Sequence, residues 1–368
     1  MGRRISPAAL AAAIGLVLAL TECTASAGDS TRPAVKVGVI VSDPATSARW
    51  EDVDQPLLND AMGAEGLAAD VQNSEGDATK FATIADGMIN EGVKVLVIAA
   101  PNNEVGAAVA RKAQARRIPT IDYDDGRLTV GGSADYVVSF DNVKAGDLQG
   151  RGLVRGIRSV RARGATIIEI DGPQADPTTP LLAQGARDVL QPRYDTGAYR
   201  LVARQSVDDN QRAGAVFEQL LTANGGHVDG VLAANDGVAG AVITVLRKKG
   251  LAGKVRVTGL GATPEALKAI LRGDQFMTVF RPVEQQATAA AKLAGALARN
   301  DYAAASGMAS MIVTDSFGHR NAHAVLVPPV FITLDTIKQV MESGMVESRD
   351  ICDDELALRC DQLSIHRS

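Results

Sequence analysis

Short apolar, β-branched runs alternate along this chain with longer stretches in which apolar residues recur every three or four positions. The runs at 36–41 (KVGVIV), 93–99 (VKVLVIA), 118–123 (IPTIDY) and 137–140 (VVSF) each stop at polar residues. Continuous apolar runs of this length suit strands covered on both faces, as in parallel sheets, rather than strands with one wet face. A further strand is predicted at 69–72, and helices at 49–63, 78–91 and 104–115, the second with a stripe of Phe81, Ile84, Ala85, Met88 and Ile89. Helices between strands provide the crossovers that parallel pairing needs.

After Asp141 and Asn142 the grammar restarts. Helices are expected at 145–157, 181–190, 211–221, 238–249 and 264–272, strands at 165–170, 199–205, 230–234, 255–260 and 275–280, and an Ala-rich helix at 283–297. Short extended stretches at 325–327 and 330–332, a helix at 334–341 and an acidic tail from 346 complete the pattern. The fold class is therefore α/β: two doubly wound parallel sheets with a crevice between them. Such sheets bind ligands at the carboxyl ends of their strands.

A length of 368 residues agrees with two domains, taking about 150 residues each as a soft prior. The first residues are different material. Arg3 and Arg4 precede an apolar stretch at 8–20, which is shorter than the about 20 residues a membrane-spanning helix needs and reads as a signal peptide. Its end, Leu20-Thr21-Glu22-Cys23, resembles the lipobox of bacterial lipoproteins, whose cysteine becomes the lipidated amino terminus; Glu22 departs from the Gly, Ala or Ser of that pattern. Cleavage near residues 25–27 is the alternative, and residues 24–34 form a small, polar tether. With Cys23 assigned to the membrane anchor, Cys352 and Cys360 remain as a local disulfide, permitted outside the cytoplasm. A formal net charge of −5 and a pI near 5.5 leave no electrostatic footprint for nucleic acid.

Catalytic chemistry finds little support. The turn after the first strand, VSDPATSARW, has no glycine cluster to admit a pyrophosphate, and no G-x-x-x-x-G-K-[ST] or G-x-S-x-G occurs. Gly259, Gly261 and Ala262 are only a fragment of a nucleotide loop. The four histidines lack metal-ligand spacing, with His319 and His323 expected in a surface loop. No enzyme activity, cofactor or metal is expected. The polar residues at predicted strand ends are more coherent: Arg49, Trp50, Asp124, Asp125, Asn235, Asp236 and Arg281. Neutral polyols are held by such planar groups, which donate and accept in pairs, and by aromatic rings over a sugar face. Each alone also reads as a helix cap or surface charge.

The segments KVGVIV, ARWEDVD, INEGVKVLVIAAPNN, IPTIDYDD, VVSFDNVKAGDLQG, VDGVLAANDGVAGAVI, LAGKVRVTG and MTVFRP resemble, in order, periplasmic sugar-binding proteins of ABC importers, closest to the D-xylose-binding branch. The resemblance implies a type I clamshell: a first lobe of 35–140 plus 283–323, a second of 143–280 plus 329–345, a three-segment hinge between them, and a tail of 346–368. It also implies closure over a small sugar and delivery to an ABC permease. Arg49, Asp124 and Asn235 keep family identities, and Arg281 stands for a lysine. Asp125 replaces an arginine, Ser206 a tryptophan and Gly261 an aspartate, and an asparagine expected after strand 165–170 is lost. Xylose itself is then expected to bind weakly or not at all, and the changed polarity favours another polyol or an amino-bearing solute. A clamshell that has lost its solute site and serves in sensing or interaction is the alternative.

Overall fold

In the computed structural model of the chain, residues 35–42, 53–123, 134–159, 164–314 and 321–365 are described. The first lobe opens with β1 (Val35–Val41), α1 (Gln55–Ala64), β2 (Leu67–Asn73), α2 (Ala78–Glu91), β3 (Leu96–Ile98), α3 (Asn103–Ala115), β4 (Thr120–Tyr123) and β5 (Tyr136–Phe140). The chain then crosses into the second lobe: α4 (Asn142–Arg158), β6 (Ala165–Asp171), α5 (Thr178–Asp195), β7 (Tyr199–Ser206), α6 (Asn210–Ala223), β8 (Gly230–Ala233), α7 (Asp236–Lys248), β9 (Arg256–Val257), α8 (Pro264–Arg272) and β10 (Thr278–Phe280). It returns with α9 (Val283–Ala298), α10 (Tyr302–Met308), β11 (Met311–Thr314) and β12 (Asn321–Val327), and crosses a third time to β13 (Val330–Ile332), α11 (Lys338–Glu342), α12 (Ser348–Ile351) and α13 (Ala357–Gln362).

The first sheet runs β11-β12-β5-β4-β3-β1-β2, parallel except at the β11 edge, and the second runs β7-β6-β8-β9, all parallel. The apolar runs are continuous because both faces are covered. Val37, Val39 and Val41 pack with α1 and α9, while Ile40 faces α2 and α3. Gly38 shares the Ile40 face, where a Cβ would come within 2.7 Å of Met88 Sδ. In the second lobe Ala165 and Ile167 face α4 and α5, and Ile168 and Ile170 face α6 and α7. Helices α4 and α5 approach so closely that a Cβ on Gly146 would lie 1.9 Å from the Leu182 carbonyl oxygen. Only glycine allows that contact.

Differences from the sequence pattern have local causes. The strand expected over 255–260 ends at Val257, because the backbone turns at Gly261 (φ 134°) and Ala262 (φ 53°). Its pairing continues less regularly, with Phe276 N–H donating to Val257 O (2.9 Å) and Gly261 N–H to Val279 O (2.9 Å), so β10 and β13 extend the second lobe's sheet. Strand β12 begins at Asn321, ahead of the extended stretch expected at 325–327, and pairs Val325–Val327 with Val138–Phe140. His323 therefore sits in a strand, with its ring 6.2 Å from that of Tyr136, rather than in a loop.

The segment after Met345 is not a free tail. Val346, Ile351, Leu356 and Ile365 bury against Leu267, Ile270 and Phe280, and the Cys352–Cys360 disulfide lies in the same cluster. Bidentate pairing of Arg272 with Glu355 (2.8 and 2.7 Å) binds the segment to α8. Its acidic composition describes only its outer face. Among the described residues no helix is long and apolar enough to cross a membrane.

Candidate functional site

At the carboxyl ends of β6, β8 and β10 the second lobe encloses a cavity of about 160 Å³. Asp171, Asp176, Thr179, Gln149, Asn235 and Arg281 contribute polar groups to its wall, and Leu182, Leu232 and Leu260 the apolar part. A larger groove of about 590 Å³ between α4 and α5 is lined by Arg151, Arg155, Arg158 and Arg193. None of its lining residues ends a strand, so the smaller cavity occupies the position at which doubly wound sheets bind ligands.

Asn235 has two jobs. Extended at φ −151° and ψ 176°, it places Oδ1 2.9 Å from Val238 N–H and caps α7. Its NH2 end is then the part that can donate into the cavity. Gln149, buried on α4, aligns the neighbouring strand ends by donating from Nε2 to the carbonyls of Ala233 (3.0 Å), Ala234 (3.3 Å) and Gly259 (3.3 Å). Arg281 follows β10 at the second crossing, with its guanidinium 5.5 Å from the Phe140 ring centroid of the first lobe. It thereby joins the cavity wall to the hinge.

Asp236 is absent from that wall. Its carboxylate is buried, accepting from Thr278 Oγ1 (2.8 Å), Gln275 Nε2 (3.1 Å) and Thr263 N–H (3.0 Å). It braces the turn between β9 and α8 against β10, and it occupies the space where a Cβ on Gly259 would stand, 2.1 Å from Oδ1. Burial pushes its carboxyl above the usual aspartate range, against those hydrogen bonds.

Asp171, the last residue of β6, is half-buried, and among the described residues its carboxylate has no hydrogen-bond or ion-pair partner. Burial and the nearby Glu169 charge raise its pKa, while Arg204 and Arg187 pull it down. Glu169, two residues earlier on the same strand face, is itself committed: Arg204 Nε lies 2.6 Å from Oε2 and Tyr194 OH donates to Oε1 at 2.7 Å. Asp176 Oδ1 accepts from Thr178 N–H and Oγ1, both at 2.8 Å, opening α5.

Of the residues singled out from the sequence, Asn235 and Arg281 meet at this cavity and Asp236 supports it from behind. Arg49, Trp50, Asp124, Asp125 and Cys23 lie outside the described residues. Asp171, Asp176, Thr179 and Gln149 were not anticipated. Asp171 could have been, because it ends a predicted strand; Gln149 lies mid-helix and carries no such signal. Among the described residues no group of three His, Cys, Asp or Glu could hold a metal ion.

Residues 37–301 match the periplasmic binding protein domain. The chain is 32% identical over 332 residues to the D-xylose-binding periplasmic protein of Haemophilus influenzae, covering 90% of this chain and 95% of that protein. It is 31% identical to the D-xylose-binding periplasmic protein of Escherichia coli, covering 86% and 92%. A carbohydrate transporter solute-binding protein of Chloroflexus aurantiacus, solved with D-glucose, superposes with a TM-score of 0.67 at 24% identity, covering 85% of this chain and 97% of that one. At that identity the structural match speaks for the fold.

Proposed function

The chain belongs to the periplasmic binding protein family, and from that premise we propose that it captures a small sugar or sugar-like ligand by lobe closure and delivers it to an ABC permease. The observation that carries this reading is the polar cavity at the strand ends of the second lobe, with Asn235 and Arg281 on its wall. The family consists of solute-binding transport proteins, and the cavity binds rather than transforms. Closure about the three crossings, after β5, β10 and β12, brings the first-lobe strand ends over the cavity. Arg49, Trp50, Asp124 and Asp125 are the first-lobe contacts in this reading, Asn235 and Arg281 the second-lobe contacts, and Asp236 acts by holding the Gly259–Thr263 turn. Cys23 anchors the mature chain to the membrane through lipid, with the signal peptide removed.

A thermal-melt screen of the mature chain against pentoses, hexoses, polyols and amino sugars tests the binding. A ligand at a hundred times its Kd adds about 2.7 kcal/mol to native stability, which raises Tm by several degrees in a protein of this size. No shift with any of them favours the degenerate clamshell, to which Ser206 at the end of β7, in place of the family's tryptophan, also points. Mass analysis of the mature amino terminus tests the anchor: an unmodified residue there rejects it.

A further inference from the structure

We propose that the Asp171 carboxylate selects a ligand bearing a protonated amino group, so that the solute of this clamshell is an amino sugar or amino polyol rather than a neutral one. The inference rests on the sugar-binding reading above and names the class of ligand.

Three observations converge on it. The carboxylate ends β6 on the cavity wall, half-buried, and has no partner among the described residues. The cations nearest to it are engaged: Arg204 is paired with Glu169 (2.6 Å), and Arg187 donates from Nε to Ala183 O (3.2 Å). Among the described residues the cavity wall carries two carboxylates, Asp171 and Asp176, against one cation, Arg281, and the Glu169 charge behind Asp171 is paired with Arg204.

An ionised carboxylate only accepts hydrogen bonds. Hydroxyls of a neutral sugar can donate to it, but closure over such a ligand strips water from the charge without supplying an opposite one, which is costly. A ligand ammonium supplies both donors and counter-charge, and charge-assisted hydrogen bonds are roughly twice as strong as neutral ones. Burial and Glu169 already raise the pKa of Asp171, the sign of a carboxylate short of compensation.

Calorimetric titration of the mature chain at neutral pH with D-glucosamine, D-galactosamine and D-mannosamine, each against its parent hexose and its N-acetyl derivative, tests the assignment. At least one amine should bind about tenfold more tightly than both neutral counterparts. Asp171→Asn, nearly isosteric, should erase that preference, bringing the amine's affinity to within about threefold of its neutral counterparts in the same variant; Asp171→Glu should retain part of it. Neutral sugars binding as tightly as the amines, or an amine preference unchanged in Asp171→Asn, overturns the proposal while leaving sugar binding intact. Absence of binding by every sugar and polyol tried sinks the sugar-binding reading and this inference with it.

Discussion

Thr120 in the first lobe and Thr166 in the second are held in the same way. Each stands within the first two residues of a strand, with its N–H and Oγ1 bonded to one oxygen of an aspartate that precedes a neighbouring strand: Asp135 at 2.9 and 3.0 Å, Asp229 at 2.8 and 3.0 Å. The correspondence continues along both lobes. Asn102 caps α3 through Val105 N–H (3.0 Å) as Asn235 caps α7 through Val238 N–H (2.9 Å). Buried Gln286 donates to Val138 O (3.2 Å) as Gln149 does to the second lobe's strand ends. Beyond these shared devices the lobes diverge. The first sheet has an antiparallel edge at β11, whereas the second breaks after β9 and is repaired by buried Asp236. The shared devices satisfy backbone groups that every copy of the fold must satisfy. The break after β9 lies at the carboxyl edge, beside the cavity lined by Leu260 and Arg281.

Helix packing offers the severest test of the difference. Gly146→Ala sets a Cβ against the Leu182 carbonyl, a backbone atom that moves only with its helix, and should cost about 3 kcal/mol in urea unfolding. Gly38→Ala meets the flexible ends of Met88 and Leu96 in the first lobe and should cost about 1 kcal/mol. Equal losses would mean that the second lobe's close helix pair is looser than its geometry.

Asp236→Ala strands the Thr278 hydroxyl, the Gln275 amide and the Thr263 N–H and should cost about 2 to 3 kcal/mol. The same carboxyl has a pH signature. Its folded pKa is raised by burial, so the folded state keeps a proton at pH values where the unfolded chain has lost it. Stability should therefore fall as pH rises from the ordinary aspartate range through the raised value. Asp171, also raised, adds a slope of the same sign. Melting curves across acidic pH should show a shallower fall in Asp236→Asn; an unchanged slope would assign the effect elsewhere.

The matched caps provide a finer comparison. Asn102→Ala and Asn235→Ala should each lose about 1 kcal/mol, but only Asn235→Ala should abolish ligand-induced stabilisation. Loss of the ligand response in neither variant would remove Asn235 from the site. Smallest and most nearly equal should be Thr120→Val and Thr166→Val, at about 1 kcal/mol each. A large inequality between them would break the correspondence between the lobes.

Much of this organisation was legible in the residues. The limits of α2 and α8 coincide with those expected from periodicity, because each has a side-chain cap at its start, Asp77 or Thr263, and a left-handed glycine at its end, Gly92 or Gly273. Local chemistry of that kind needs no partner. The α10–β11 segment and the folded carboxyl-terminal region were not legible, since their apolar residues are too few and too scattered to form a period. They are ordered by surfaces contributed from far along the chain. In the cavity, Asn235 was legible as a strand-end polar residue, while Gln149 was not, because its bonds reach residues 84 to 110 positions away.

The sequence by itself determined the α/β class, the restart after Asp141 and the helix caps, all of which rest on periodicity and hydrogen bonds within a few residues. Only the tertiary structure decided what two neighbouring aspartates at strand ends would do. Asp236 was turned inward and bonded on both oxygens, while Asp171 was left on the cavity wall without a partner among the described residues. A carboxylate's role depends on which donors the fold brings within about 3 Å, and no local pattern carries that distance.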